Sequence, residues 1–154
     1  MTAPATLDRD GIAARIPHAG SMCLLDRLEA WDAQAIHCTT AAHADPANPM
    51  RTASGLLTPC AIEFAAQAMA LHGGLLASGD GPPSAGYLAS TRNVRLHRAR
   101  FDDAPAPLHL HAERLSGDAQ QVLYAFRVLD AAGAPVADGR AVVVLNTPLP
   151  DAAP

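Results

Sequence analysis

The chain has 154 residues, 49% of them hydrophobic and 17% charged, with a net charge of −4. These values describe one globular domain with a real core, and they exclude a disordered segment or a general nucleic-acid binder. No run of roughly 18 apolar residues spans a membrane, and residues 1–15 carry scattered charge without the apolar stretch of a secretion signal.

Residues 1–15 read as a flexible N-terminus, and Ile16-Pro17-His18 opens the ordered part. Residues 22–31 carry enough apolar side chains for a first strand. Residues 35–42, partly β-branched, predict a second strand that ends at His43. The Asp45-Pro46 and Asn48-Pro49 pairs mark a turn. Thr58 has the chemistry of an N-cap, and Pro59 suits a first helical position. A helix is expected from there to residue 71 or 72, where Gly73-Gly74 weakens or ends it. Ile62, Ala65, Ala66 and Met69 fall on one helical stripe. Glu63 and Gln67, four apart, share a face. A carboxylate in so apolar a helix needs a partner or a purpose.

Residues 78–83 read as a loop, and after them the pattern turns to period two. Strands are expected over residues 87–100, 108–115, 121–129 and 136–145. Leu108, Leu110 and Ala112 mark one face of the second of these. Val122, Tyr124, Phe126 and Val128 mark one face of the third, and the last closes with Val142 and Val144. Turns at Ser116-Gly117-Asp118 and Ala132-Gly133 make these an antiparallel meander. Residues 16–146 thus form one α+β domain with a single long helix against a curled antiparallel sheet, followed by a Pro-rich tail at 147–154.

His43 and Glu63 are the candidate catalytic groups, because an imidazole and a carboxylate at one cleft can remove a proton beside a carbonyl and release a hydroxyl as water. A carboxyl in an apolar pocket is expected to stay protonated, since desolvation raises its pKa. His18 reads as structural, although it could line the cleft. His109 and His111 share a strand face, but with no evident third ligand no metal is expected there, and His72 and His97 add none. Cys23, Cys38 and Cys60 lack metal-ligand spacing and read as reduced thiols of a cytoplasmic protein. Cys60, near a helix start, could form a thiolate, although a small buried hydrophobe is the simpler reading. Arg92, Arg95, Arg98 and Arg100 are either an anion-docking cluster or solvated strand charges.

With these residues in order, the chain resembles the hot-dog-fold 3-hydroxyacyl-(acyl carrier protein) dehydratases. Ile16-Pro17-His18 and Cys23-Leu24-Leu25-Asp26-Arg27-Leu28 match their Leu-Pro-His and Leu-Leu-Val-Asp-Arg-Val segments. His43 with Asn48-Pro49 matches His-Phe-Pro-Gly-Asn-Pro. Glu63-Phe64-Ala65-Ala66-Gln67 matches Glu-Ala-x-Ala-Gln, and Tyr87-Leu88-Ala89 matches Tyr-Phe-Ala. The form around His43 is most similar to the dehydratase-like proteins of aryl polyene pathways. There are departures. His43 lies one residue further from Asn-Pro, the segment before the helix is longer, and Leu57-Thr58-Pro59 replaces a Met-Pro-Gly whose glycine N–H holds the thioester oxygen.

The resemblance implies a hot-dog fold, with one helix wrapped by a curved antiparallel sheet. It implies a homodimer, or a heterodimer with a related hot-dog subunit, whose His and Glu meet across the interface. It also implies dehydration of a 3-hydroxyacyl thioester to the trans-2-enoyl thioester, with no cofactor beyond the phosphopantetheine of an acyl carrier protein. In that scheme His43 takes the C2 proton and Glu63 releases the C3 hydroxyl. Gln67 and Asn48 orient the groups, amides near Thr58 and Cys60 hold the oxygen, and the four arginines dock the carrier. A hot-dog thioesterase and a non-catalytic partner subunit remain as alternatives.

Overall fold

The computed structural model describes residues 3–77 and 86–145. The predicted loop at 78–83 and the tail at 147–154 lie outside them. Six strands form one antiparallel sheet: β1 (Arg27–Trp31), β2 (Ala35–Thr40), β3 (Gly86–Leu96), β4 (Leu108–Gly117), β5 (Gln121–Leu129) and β6 (Pro135–Leu145). Their spatial order is β1-β2-β4-β5-β6-β3. The chain leaves β2, passes through the long helix α2 (Ala61–Leu76), lays β3 at the far edge and returns to fill the centre. Helix α2 packs against β2, β3, β4, β5 and β6, so the sheet wraps it in the hot-dog arrangement.

Period-two alternation explains the central strands. Val122, Tyr124, Phe126 and Val128 of β5 and Leu108, Leu110 and Ala112 of β4 all point into the core. Burying each large apolar side chain stabilises the fold by about 1.5–3 kcal/mol. In β6 the inward residues are Val136, Ala137, Ala141 and Val143, whereas Val142 and Val144 lie on the other face. Cross-strand register sets this choice: Val143 pairs with Val122 and Ala141 with Tyr124, and directly opposed residues share a face. Phe126 pairs with Gly139, where a Cβ would crowd both the Phe126 ring and Val94 of β3.

The chain departs from the sequence reading at several places. The N-terminal segment is packed: Asp8 caps the short helix α1 (Arg9–Ala13), Ile12 is buried, and Leu7 bridges to Leu28. Only Arg27–Trp31 of the first predicted strand is extended in the sheet, after a 3-10 turn at Gly20–Met22. The second strand stops at Thr40, and His43 sits in a 3-10 turn, Ala42–Ala44. Thr58 does not cap α2. It opens a separate 3-10 turn, Thr58–Cys60, and its buried hydroxyl has no hydrogen-bond partner. Helix α2 continues through Gly73-Gly74 because tertiary contact outweighs the glycine propensity there, and the Arg15 carbonyl would press on a Cβ at Gly74. The buried face of α2 is also wider than the expected stripe. Phe64, Ala65, Ala68, Met69, Leu71 and Leu75 are buried, while Ile62 and Ala66 are half-buried.

The long segment between Asn48 and α2 is held by the buried carboxylate of Asp102, which accepts from the Leu56 amide at 2.9 Å and from the Arg100 guanidinium at 2.8 and 3.1 Å. Gly55 adopts a positive φ of 96°, and a Cβ there would strike Asp102. Leu56 and Phe101 then enter the core together, joined by the Phe101 amide on the Leu56 carbonyl.

His72 is the second polar residue buried in α2. Its Nε2 lies 2.8 Å from the Asp32 carbonyl, which can only accept, so Nε2 carries the proton. Nδ1 therefore accepts from the Tyr124 hydroxyl at 2.7 Å. Burial pushes the His72 pKa below the ordinary imidazole range. Below about pH 6.5 the unfolded chain therefore binds a proton that the fold resists, and stability falls as pH drops. Tyr124→Phe leaves Nδ1 buried without a donor. The expected loss is about 1–3 kcal/mol at neutral pH by urea unfolding, with a shallower decline on acidification.

Candidate active site

Three chain segments converge on Glu63. It lies in the first turn of α2, next to the residues that follow α1. Gln67, one turn on, is fully buried, and all of its polar atoms are engaged. Its Oε1 accepts from the Leu24 amide at 2.9 Å, while its Nε2 donates to the Met22 carbonyl at 2.7 Å and to Glu63 Oε1 at 3.2 Å. Gln67 thereby ties the helix to the segment that leads into β1 and fixes one side of the Glu63 carboxylate. On the other side, His18 Nε2 lies 3.0 Å from the same Oε1.

Burial pushes the Glu63 pKa up, but the hydrogen bonds from His18 and Gln67 and the charge of His18 outweigh it and leave it below the ordinary range. The expectation of a protonated acid is thus corrected: in this arrangement Glu63 is a carboxylate. Two donors converging on one oxygen decide the balance.

Glu63 lines a cavity of about 210 Å³ between α2 and the β3–β6 side of the sheet. Ala66, Ala70 and Gly74 continue the same helical stripe as its floor, and Tyr87, Leu88, Val143 and Leu145 form the facing wall. Arg15, Pro17 and His18 complete it. The result is an apolar slot with a carboxylate and an imidazole inside. The sequence reading favoured a structural role for His18 and allowed that it could line the cleft, where the structure places it. Its one local signal was the Pro17-His18 pair, and nothing in the spacing joined it to a residue so far along the chain.

His43 is not among the residues of that cavity. Solvent does not reach its side chain within the single chain. Its ring runs parallel to Phe101, and Nε2 donates to the Ala104 carbonyl at 2.9 Å. That bond fixes the proton on Nε2 and leaves Nδ1 as a buried lone pair without a partner. Desolvation lowers the pKa of His43, so it is a neutral imidazole whose available base is Nδ1.

The remaining candidates fall into place as follows. Asn48 is buried and braces the His43 turn, donating to the Ala42 carbonyl at 2.9 Å and accepting from the Met50 amide. The Thr58 amide already donates to the Ala99 carbonyl, and the Cys60 amide to the Leu57 carbonyl, so neither is free to hold a substrate oxygen in this conformation. Burial pushes the Cys60 thiol up, which disfavours a thiolate. Arg98 binds Asp103 at 2.7 Å and Arg100 binds Asp102. Arg92 and Arg95 are exposed on β3, opposite Arg140 and Asp138 of β6. Strand β2 places a third imidazole, His37, beside His109 and His111. Among the described residues no helix is long and apolar enough to cross a membrane.

Comparison with known proteins gives a family and a fold. The profile of the ApeP-like family, described as ApeP dehydratase, matches residues 11–152. No curated protein matches the sequence. Among solved structures, the dehydratase heterocomplex ApeI:P from Xenorhabdus doucetiae superposes with a TM-score of 0.77 at 22% identity, over 92% of each chain. A thioesterase from Pseudomonas aeruginosa gives 0.58 at 14% identity, over 77% of this chain and 79% of that one. AziG from S. sahachiroi gives 0.56 at 17%, over 77% and 88%. These superpositions establish the shared hot-dog fold, and the family profile goes further. The chain belongs to the ApeP-like family and is a hot-dog-fold dehydratase of fatty-acid and aryl-polyene-type thioester chemistry.

Proposed function

We propose that the protein dehydrates a 3-hydroxyacyl thioester, carried on the phosphopantetheine of an acyl carrier protein, to the trans-2-enoyl thioester. The observation that carries this reading is Glu63 held by His18 and Gln67 inside an apolar slot. The slot suits an acyl chain, and the carboxylate stands where a hydroxyl on that chain would pass. Nδ1 of His43 takes the C2 proton, the C2–H electrons form the C2–C3 double bond, and the C3–O bond breaks. The departing oxygen needs a proton, and Glu63, protonated from solvent as the substrate enters, delivers it while His18 Nε2, 3.0 Å away, orients the carboxyl group. An acyl chain that displaces water from the slot favours that protonation, because desolvation disfavours the charged carboxylate.

His43 and Glu63 belong to different surroundings in one chain, so their joint action calls for a second protomer. Strand β3 stands at the sheet edge and offers its backbone for pairing. The partner that fits is a related hot-dog subunit, as in the ApeI:P heterocomplex. The free thiols of Cys23, Cys38 and Cys60 suit a cytoplasmic setting. For carrier docking, Arg92 and Arg95 are the better candidates, since Arg98 and Arg100 already hold acidic partners.

A second reading is favoured by the occupied amides of Thr58 and Cys60 and by the enclosure of His43: a non-catalytic subunit that supports a related dehydratase.

Incubation with a 3-hydroxyacyl-carrier thioester, alone and with the related subunit, separates these readings. Loss of one water by mass is the expected result, with His43→Ala and Glu63→Gln each slowed about 10²–10⁴-fold and His18→Ala slowed as well. Wild-type turnover in both variants when the partner is present would establish the supporting role, and release of the free acid would establish a thioesterase. Exchanging Arg92 and Arg95 for Glu is expected to raise KM several-fold for the carrier-bound substrate and to leave a pantetheine-bound substrate unaffected. Equal KM changes for both would remove the docking role.

A further inference from the structure

On the outer face of the sheet, away from the cavity, β2 and β4 bring three imidazoles together. His37 of β2 pairs in register with His111 of β4, and His109 lies two residues before it on the same face. The alternating neighbours Ile36, Cys38, Leu108, Leu110 and Ala112 all point into the core, so the three histidines point out. All three are half-buried. One ring nitrogen of each lies within 4.8 Å of the other two. The closest pair, His37 Nε2 and His109 Nδ1, is 2.9 Å apart, so one nitrogen donates a proton to the other. The rings stack in nearly parallel planes, His37 on His111 at 4.3 Å and His37 on His109 at 5.2 Å.

We propose that His37, His109 and His111 form a binding site for one divalent transition-metal ion of the zinc class. Three imidazole nitrogens around zinc stand at about 2.0–2.1 Å from the ion, which places them about 3.3 Å from one another in a tetrahedron. The observed spacing brackets that value. The strands fix the three Cα positions, and only side-chain torsions must change, chiefly the soft terminal one. On binding, the metal replaces the proton shared by His37 and His109 and turns the rings from the stack toward one centre.

The donor set selects the metal. Imidazole suits zinc, cobalt, nickel and copper, whereas magnesium and calcium require oxygen ligands that the cluster lacks. The fourth position faces solvent and takes water. Glu29 is close enough to act on His37, and its negative charge offsets part of the ion's. The ion would join β2 to β4, and β2 leads directly to the Ala42–Ala44 turn that carries His43.

The test uses tag-free protein cleared of metal with a chelator and titrated with Co²⁺, then Zn²⁺. The expected result is one Co²⁺ per chain with visible d–d absorption, displacement by Zn²⁺, and a Tm raised by several degrees. His37→Asn, His109→Asn and His111→Asn should each weaken binding at least about tenfold, as loss of one of three ligands requires, and His97→Asn should leave it unchanged. X-ray absorption of the wild-type complex should show imidazole scattering without sulfur, which decides the matter even where a variant fails to fold. No binding up to millimolar Co²⁺, wild-type affinity in all three variants, or a sulfur ligand would each overturn the proposal.

Discussion

The hydrogen bonds of Gln67 organise this molecule. An amide side chain buried in the middle of a helix is tolerable only if every polar atom is met. Gln67 meets this condition by binding the chain on both sides of Cys23 and by donating to Glu63. The Met22–Leu24 segment is thereby pinned to α2, and β1 begins where it must to pair with β2. Because the remaining donor points at Glu63, the requirement that stabilises the fold also sets the charge of the catalytic candidate. Fold and site share one polar contact inside an otherwise apolar helix.

The small residues of α2 complete the arrangement. Phe64, Met69, Leu71 and Leu75 fill the core, whereas Ala66, Ala70 and Gly74 leave room along another stripe. That missing volume is the slot. It ends at Glu63 and His18, so an acyl chain lying on the alanines would meet a carboxylate and an imidazole. His43 is held differently, by a backbone carbonyl on one nitrogen and an aromatic ring beside it. This fixes which nitrogen can act as base.

Much of the fold was legible in the sequence. Period-two runs in β4 and β5, turn residues between them, and an Ala-rich segment after two strands specified a helix against an antiparallel sheet. Glu63 and Gln67 stood out because polar residues in an apolar helix require partners. What was not legible depended on contacts distant in sequence. His18 became part of the site only when α2 folded onto the residues after α1. The ionisation of Glu63 could not be read from burial alone, since two donors outweigh it. Helix α2 runs past Gly73-Gly74, where glycine leaves room for the Arg15 carbonyl instead of ending the helix. The third imidazole beside His109 and His111 comes from β2, across a pairing that the meander pattern did not supply.

The central claim is that His18 and Gln67 hold Glu63 as a carboxylate in the resting protein. A ¹³C NMR titration of the Glu63 side-chain carboxyl tests it directly. The account requires a midpoint below the ordinary glutamate range, rising toward it when His18→Ala removes one donor. A midpoint near neutral pH in the wild-type protein would contradict it and would make Glu63 the protonated acid that burial alone would produce.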